Sequence, residues 1–132
     1  MNEAFGKVIT IPASDNAKTQ MKRLVTQGLF KEQRDAWRLG ASLGIAKGRT
    51  KEVGKRETFQ NVNSLDPDGI FAAIMLGLYP DLKPEDRVRK LVDHAEWGIN
   101  EIAHQNDVGT LDFYSYVAEI EKRMKSNNVE LT

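Results

Sequence analysis

A chain of 132 residues with no cysteine and with 19 basic and 19 acidic side chains can bury one core unaided and excludes a disulfide framework or a thiolate metal site. Its longest apolar run, Ile70 to Tyr79, is about half of the roughly 20 residues that span a bilayer. Met1-Asn2-Glu3-Ala4 also lacks the cationic lead of a signal peptide, so a cytoplasmic protein without membrane association is expected.

The elements predicted along the chain are mostly helices. Lys7-Val8-Ile9-Thr10-Ile11, β-branched and closed by Pro12, reads as one short strand. Ser14 or Asp15 then caps a helix to about Gln27, with Ala17, Met21, Leu24 and Val25 inward, Lys18, Lys22 and Arg23 elsewhere, and Gly28 as its stop. A second helix runs from about Lys31 to Ala46. Its stripe is Ala36, Leu39, Gly40, Leu43 and Gly44, and glycines one turn apart imply a closely packed neighbour, since each costs about 1 kcal/mol in a helix.

Residues 47–61 show no apolar periodicity and read as a basic loop. Asp66 caps a third helix, with Pro67 in its first turn, that ends near Leu78. Being apolar nearly all round, it is expected to be the buried central helix. Lys83-Pro84-Glu85-Asp86 opens a fourth, with a stripe of Val88, Leu91, Val92, Ala95, Ile99 and Ile102. Thr110 is read as the cap of a last helix to about Lys125. The expectation is a mainly α fold: about five helices preceded by one short N-terminal strand, in a single helical domain over 1–126, with 127–132 as a frayed tail.

Charge divides that domain. Residues 1–60 hold 12 Lys/Arg against 6 Asp/Glu, and residues 61–132 hold 7 against 13. A basic strand-helix-helix part, 1–60, thus precedes an acidic helical part, 62–126. Such asymmetry suggests a polyanionic partner or complementary self-association, the plainer reading being drift in composition.

Catalytic patterns are weak. Glu101-Ile102-Ala103-His104 has the Glu-x-x-His spacing of a di-iron pair but lacks the second pair and the further glutamates. His94 and His104 lie far out of phase on one helix. Asp66-Pro67-Asp68-Gly69 lacks the remaining ligands of a calcium loop. Asp81 with Glu119 or Glu121 near Lys122 would sit on helices, not on the adjacent strands that a metal nuclease uses. No phosphate loop or nucleophile triad is present. The expectation is a protein that is not an enzyme and needs no metal or cofactor.

Binding signals are better. Strand, helix, Gly28-Leu29-Phe30 turn and helix follow the order of a ribbon-helix-helix unit, in which strands from two chains pair and enter a major groove. Alternation would place Ile9 and Ile11 inward, and Gly6, Val8 and Thr10 outward. Those outward positions lack the Arg, Lys, Asn or Gln that read bases, so a purely structural strand is an equal alternative. Cations are concentrated from Lys31 to Arg56, where 8 basic residues meet 3 acidic ones. Lys31, Arg34, Arg38, Lys47, Arg49, Lys51, Lys55 and Arg56 are the candidate phosphate contacts. Phe59 is the only ring in that loop, so single-strand stacking is not expected.

The stretch from Met21 to Lys47, with Leu24-Val25, Gly28-Leu29-Phe30-Lys31 and an alanine-containing helix reaching Leu43-Gly44, resembles the small accessory proteins associated with Dnd-type DNA phosphorothioation gene clusters. The Lys/Arg/Gly-rich run through Lys55-Arg56 and the later Ala95-Glu96-Trp97-Gly98-Ile99 extend the similarity. The resemblance implies a DNA-associated role in modification and defence and assigns no catalytic residue. The leading expectation is therefore an accessory protein contacting DNA, or other subunits of a modification or defence complex, through its basic half. Alternatives are an adaptor or self-assembling module without DNA contact, and a ribbon-helix-helix regulator that would be a homodimer.

Overall fold

The computed structural model describes residues 3–126. Among them the fold is mainly helical: β1 (Thr10–Ala13), α1 (Asp15–Thr26), α2 (Gln33–Lys47), β2 (Glu57–Asn61), then α3 (Val62–Leu65), α4 (Ile70–Leu78), α5 (Pro84–Asp107) and α6 (Phe113–Ser126). No helix among these residues is long and apolar enough to cross a membrane. The expected tail, 127–132, lies outside the described residues.

Local chemistry sets several helix ends where the sequence places them. Ser14 Oγ accepts from Ala17 N at 3.0 Å and caps α1. At its other end Leu29 N bonds back to Leu24 O at 3.0 Å around Gly28, whose φ of 80° suits a residue without a Cβ. α2 opens on a reciprocal box, in which the Glu32 side chain accepts from the Asp35 backbone and Asp35 Oδ2 accepts from Glu32 N.

Two caps differ from expectation. α4 starts only at Ile70, because Asp66 reaches over the Pro67–Gly69 turn to accept from Phe71 N (3.0 Å) and Ala72 N (2.9 Å). α6 is capped by Asp112, which binds Ser115 N and Oγ, whereas the Thr110 hydroxyl turns to Gln105.

The strand also differs. It begins at Thr10 and continues through Pro12, and its antiparallel partner is β2 of the same chain, inside the segment read as a loop. The strand–helix–helix order is present, but this ribbon is made within one chain. Ile11 is buried as expected, while Ile9 is 75% exposed. A turn closed by Val8 N to Phe5 O precedes the strand, and Ala4 and Phe5 enter the core instead. Pairing joins Ile11 with Gln60 and Pro12 with Thr58, which leaves Phe59 as the extra residue of a bulge. Pro12 has no N–H for a regular ladder, so a bulge beside it is the natural outcome.

The centre of the fold is α5, not α4. Val88, Leu91, Val92, Ala95, Ile99 and Ile102 are buried along it, and so are Arg87, Asp93, His94 and Glu96. The nine-residue α4 buries Phe71, Ala72, Ile74 and Met75 but leaves Ile70 and Leu78 partly exposed. Its hydropathy overstates its burial because it meets the core along one side, leaving Ala73, Gly77 and Leu78 exposed.

The most extensive contact is α2 against α5. At Gly40 an added Cβ would lie 2.8 Å from Ile99 Cγ1 and 2.9 Å from Ile99 N. A Cβ on Gly98 would overlap the Gly40 carbonyl, and one on Gly44 would overlap that of His94. The close neighbour inferred from Gly40 and Gly44 is thus α5 itself. One core cluster draws on both the basic and the acidic parts, so the charge division does not divide the packing.

Candidate nucleic-acid interface

The eight candidate cations do not form one surface. Arg38 is turned inward: Nε donates to Leu65 O (3.0 Å) and Nη2 to Ser64 O (2.6 Å), so it closes the end of α3. Arg56 is also internal, with a side chain 12% exposed. Its Nη2 lies 2.8 Å from Asp93 Oδ1 and its Nε 3.4 Å from Glu96 Oε1. The fold engages both: Arg56 serves buried carboxylates, and Arg38, its side chain 33% exposed, serves two carbonyls and lies 3.6 Å from Asp35, so neither presents a free guanidinium for phosphate. Arg34 pairs with Glu32, and the exposed Lys55 lies 3.6 Å from Glu57. Lys31, Lys47, Arg49 and Lys51 are exposed and enter no ion pair among the described residues.

Three of those four stand on a backbone that α5 holds in place. Gly48 ends α2 with φ 63°, and Arg49 N bonds back to Gly44 O at 2.9 Å. The Arg49 carbonyl lies 2.6 Å from His94 Nδ1, and Lys51 N donates to Asp93 O at 2.9 Å. A carbonyl only accepts, so His94 carries its proton on Nδ1 and its Nε2 accepts from the Tyr79 hydroxyl at 2.9 Å. Burial, first, holds the His94 imidazole below its ordinary value of 6.5, and the charge of Lys90 adds to this. The bond to Arg49 and the charge of Asp93 oppose it. The neutral ring therefore fits its two bonds.

Beneath the loop lies a charged knot. Glu96 accepts from Ser14 N (2.8 Å) and Ser14 Oγ (2.9 Å), while Arg56 bridges Glu96 and Asp93 and donates from Nη2 to Lys51 O (3.1 Å). Asp93 Oδ1 takes no aligned hydrogen bond although Arg56 is near. The knot joins the cap of α1, the loop and α5. Its carboxylates are buried and engaged, so its evident role is to hold the loop.

A separate open groove of about 750 Å³ lies at the other end of α2, lined by Lys18, Lys22 and Val25 of α1, Glu32, Gln33 and Arg34, and Thr58, Phe59 and Gln60 of β2. Lys18 Nζ donates to Thr58 O at 3.1 Å across it. Sequence reasoning placed Lys18 and Lys22 off the apolar stripe but not at a site. Their spacing of one turn on one side of α1 was the available signal.

Among the described residues no cluster of three or more His, Asp or Glu is placed to hold a metal ion. Glu101 accepts from Gln105, and His104 is exposed. Comparison of the chain with protein-family models, curated proteins and solved structures gives no match.

Proposed function

We propose that this chain is a non-enzymatic accessory protein of a DNA phosphorothioation-linked defence system, working in the cytoplasm and contacting the DNA backbone through the loop after α2. The observation that carries this reading is the trio Lys47, Arg49 and Lys51: exposed cations that enter no ion pair among the described residues, on a backbone anchored to His94 and Asp93 of α5. Cations on an already ordered loop lose little entropy on meeting phosphates, and they release counterions in doing so. Lys31 and Lys55 are additional contacts at lower weight, and the likeness of Met21–Lys47 to the phosphorothioation accessory proteins supplies the biological setting.

The test is a titration of a DNA duplex against salt. Each phosphate contact contributes about −0.9 to the slope of log K against log salt, so replacing all three residues with glutamate is expected to flatten it by about 3. No binding at low salt, or an unchanged slope, overturns the reading.

A second reading, an adaptor within a larger complex, is favoured by α6. There Tyr114 is 90% and Val117 48% exposed, one turn apart on the outer side. Light scattering of the chain alone and with candidate subunits tests it, with Tyr114→Lys expected to abolish any association through that side.

A further inference from the structure

We propose that the groove between α1, the start of α2 and β2 is a site for a single strand of nucleic acid, with Phe59 stacking on a base and Lys18, Lys22 and Arg34 holding adjacent phosphates. This site shares with the proposed loop contact only the premise of a nucleic-acid partner and uses different residues. Arg34 and Lys47 lie at opposite ends of α2, about 20 Å apart at 1.5 Å per residue.

The bulge is the main evidence. Because Ile11 pairs with Gln60 and Pro12 with Thr58, Phe59 has no partner across the ribbon, and its half-buried ring lines the groove. Bulges re-aim side chains in this way, often beside binding sites. Around the ring are cations at useful places. Lys18 is steadied by Thr58 O and retains two further donors. Lys22 is exposed one turn along, about 6 Å up the axis. Arg34 is held by Glu32, whose own carboxylate also accepts from the α2 backbone.

An aromatic platform within a cationic groove is the general arrangement for single strands, since every base offers a face. A duplex keeps its base faces stacked and would leave Phe59 unused. The groove volume falls within the roughly 300–1,000 Å³ of ligand clefts. This changes the expectation drawn from sequence, in which Phe59 was a lone ring in a loop: folding brings it to the lysines of α1.

The experiment is fluorescence anisotropy of the full chain with labelled oligo-dT and oligo-rU of about 12 nucleotides, a duplex of the same length, and an oligoglutamate competitor. Binding of either single strand is expected, and the better ligand identifies DNA or RNA as the source. Phe59→Leu should weaken it about fivefold or more, from the usual value of one base stack, and Phe59→Trp should restore it. Lys22→Glu, on an exposed residue that leaves the melting transition unchanged, should weaken it as well.

The loop variant with Lys47, Arg49 and Lys51 all changed to glutamate separates the two sites. It should lower duplex affinity and leave the single strand in place. Absence of single-strand binding, affinity indifferent to both Phe59→Leu and Lys22→Glu, or equal displacement by oligoglutamate overturns the proposal whether or not the loop binds duplex.

Discussion

The crossing of α2 over α5 and the segment 47–61 that straps it engage the same stretch of α5, residues 93–99, by opposite means. At the crossing, backbone meets backbone through Gly40, Gly44 and Gly98. The strap is held by Arg56 on two carboxylates, by one histidine on a carbonyl, and by a backbone bond from Lys51. A crossing made by shape should resist changes of salt and pH but tolerate no added volume. A strap made by charge and hydrogen bonds should accept small changes of volume yet respond to protonation. The contrast explains why cations near one another in sequence have different fates: those that hold the strap are buried, and those the strap carries are exposed.

The largest expected effect breaks the crossing. Gly98→Ala would place a methyl group into the Gly40 carbonyl, where neither backbone can yield as a side chain would. The loss should exceed the usual overpacking cost of about 1–3 kcal/mol and approach the whole stability of a small domain, of order 5 kcal/mol. Gly77→Ala is the control. In α4 its Cβ would meet nothing within 4 Å, and better helix propensity should stabilise by up to about 1 kcal/mol. Urea denaturation of the two variants should give opposite signs. Equal small effects would mean that α2 and α5 do not pack this closely.

Next comes the strap. Arg56→Met leaves Asp93 and Glu96, with side chains 7% and 2% exposed, without their shared cation. Breaking a buried pair from one side costs about 3–5 kcal/mol. Adding Asp93→Asn and Glu96→Gln should recover much of that, because the cost lies in the stranded charges. A triple variant no more stable than Arg56→Met would show that the arginine acts by packing alone.

Much of the helical frame was legible because its signals are local. Ser14, Gly28 and Pro84 mark helix ends by chemistry that acts within a few residues, and Gly40 with Gly44 announced a close neighbour. What could not be read depends on distant partners. Glu57-Thr58-Phe59-Gln60-Asn61 lacks alternation and becomes a strand only because Thr10–Ala13 needs a partner. Lys55 and Arg56 are adjacent in sequence, yet the Lys55 side chain is exposed and that of Arg56 is only 12% exposed. Charge density alone could not separate them. The partners of Arg56, Asp93 and Glu96, flank the apolar stripe of α5 three residues apart, the one hint that an arginine would be drawn inward. The groove was hidden for the same reason, since Lys18 and the Thr58 carbonyl it meets, beside Phe59, lie 40 residues apart in the chain.

Changing pH acts more mildly, and on the strap alone. The His94 pKa is lower in the fold than its ordinary 6.5, so the unfolded chain binds more protons once pH falls towards that value. Stability from this group is therefore complete above about 6.5 and declines as pH drops through the folded pKa. Melting temperature should fall over that window, and His94→Gln, which can still reach Arg49 O and the Tyr79 hydroxyl, should flatten the fall. Gly77 lies in α4, outside both the crossing and the strap, so a Gly77→Ala background should give the same curve displaced upward.

The smallest expected effect on the fold separates stability from binding. Lys47, Arg49 and Lys51 are exposed and lack ion pairs among the described residues, and what holds their segment is backbone: Arg49 N and O, and Lys51 N. Changing all three to glutamate leaves those bonds intact. The main penalty comes from Lys47 in the last turn of α2, where the helix dipole favours a cation by about 0.3–1 kcal/mol, so the total should stay near 1 kcal/mol. Arg56→Met makes the converse change. It disturbs the support and leaves the three cations untouched, so at temperatures where that variant remains folded any loss of duplex affinity must come from a displaced loop. If the triple variant loses binding at nearly full stability while Arg56→Met loses both, the strap acts as a platform and its exposed cations as the contact. If the triple variant melts much earlier, those side chains support the fold, and the division between holding and carrying residues fails.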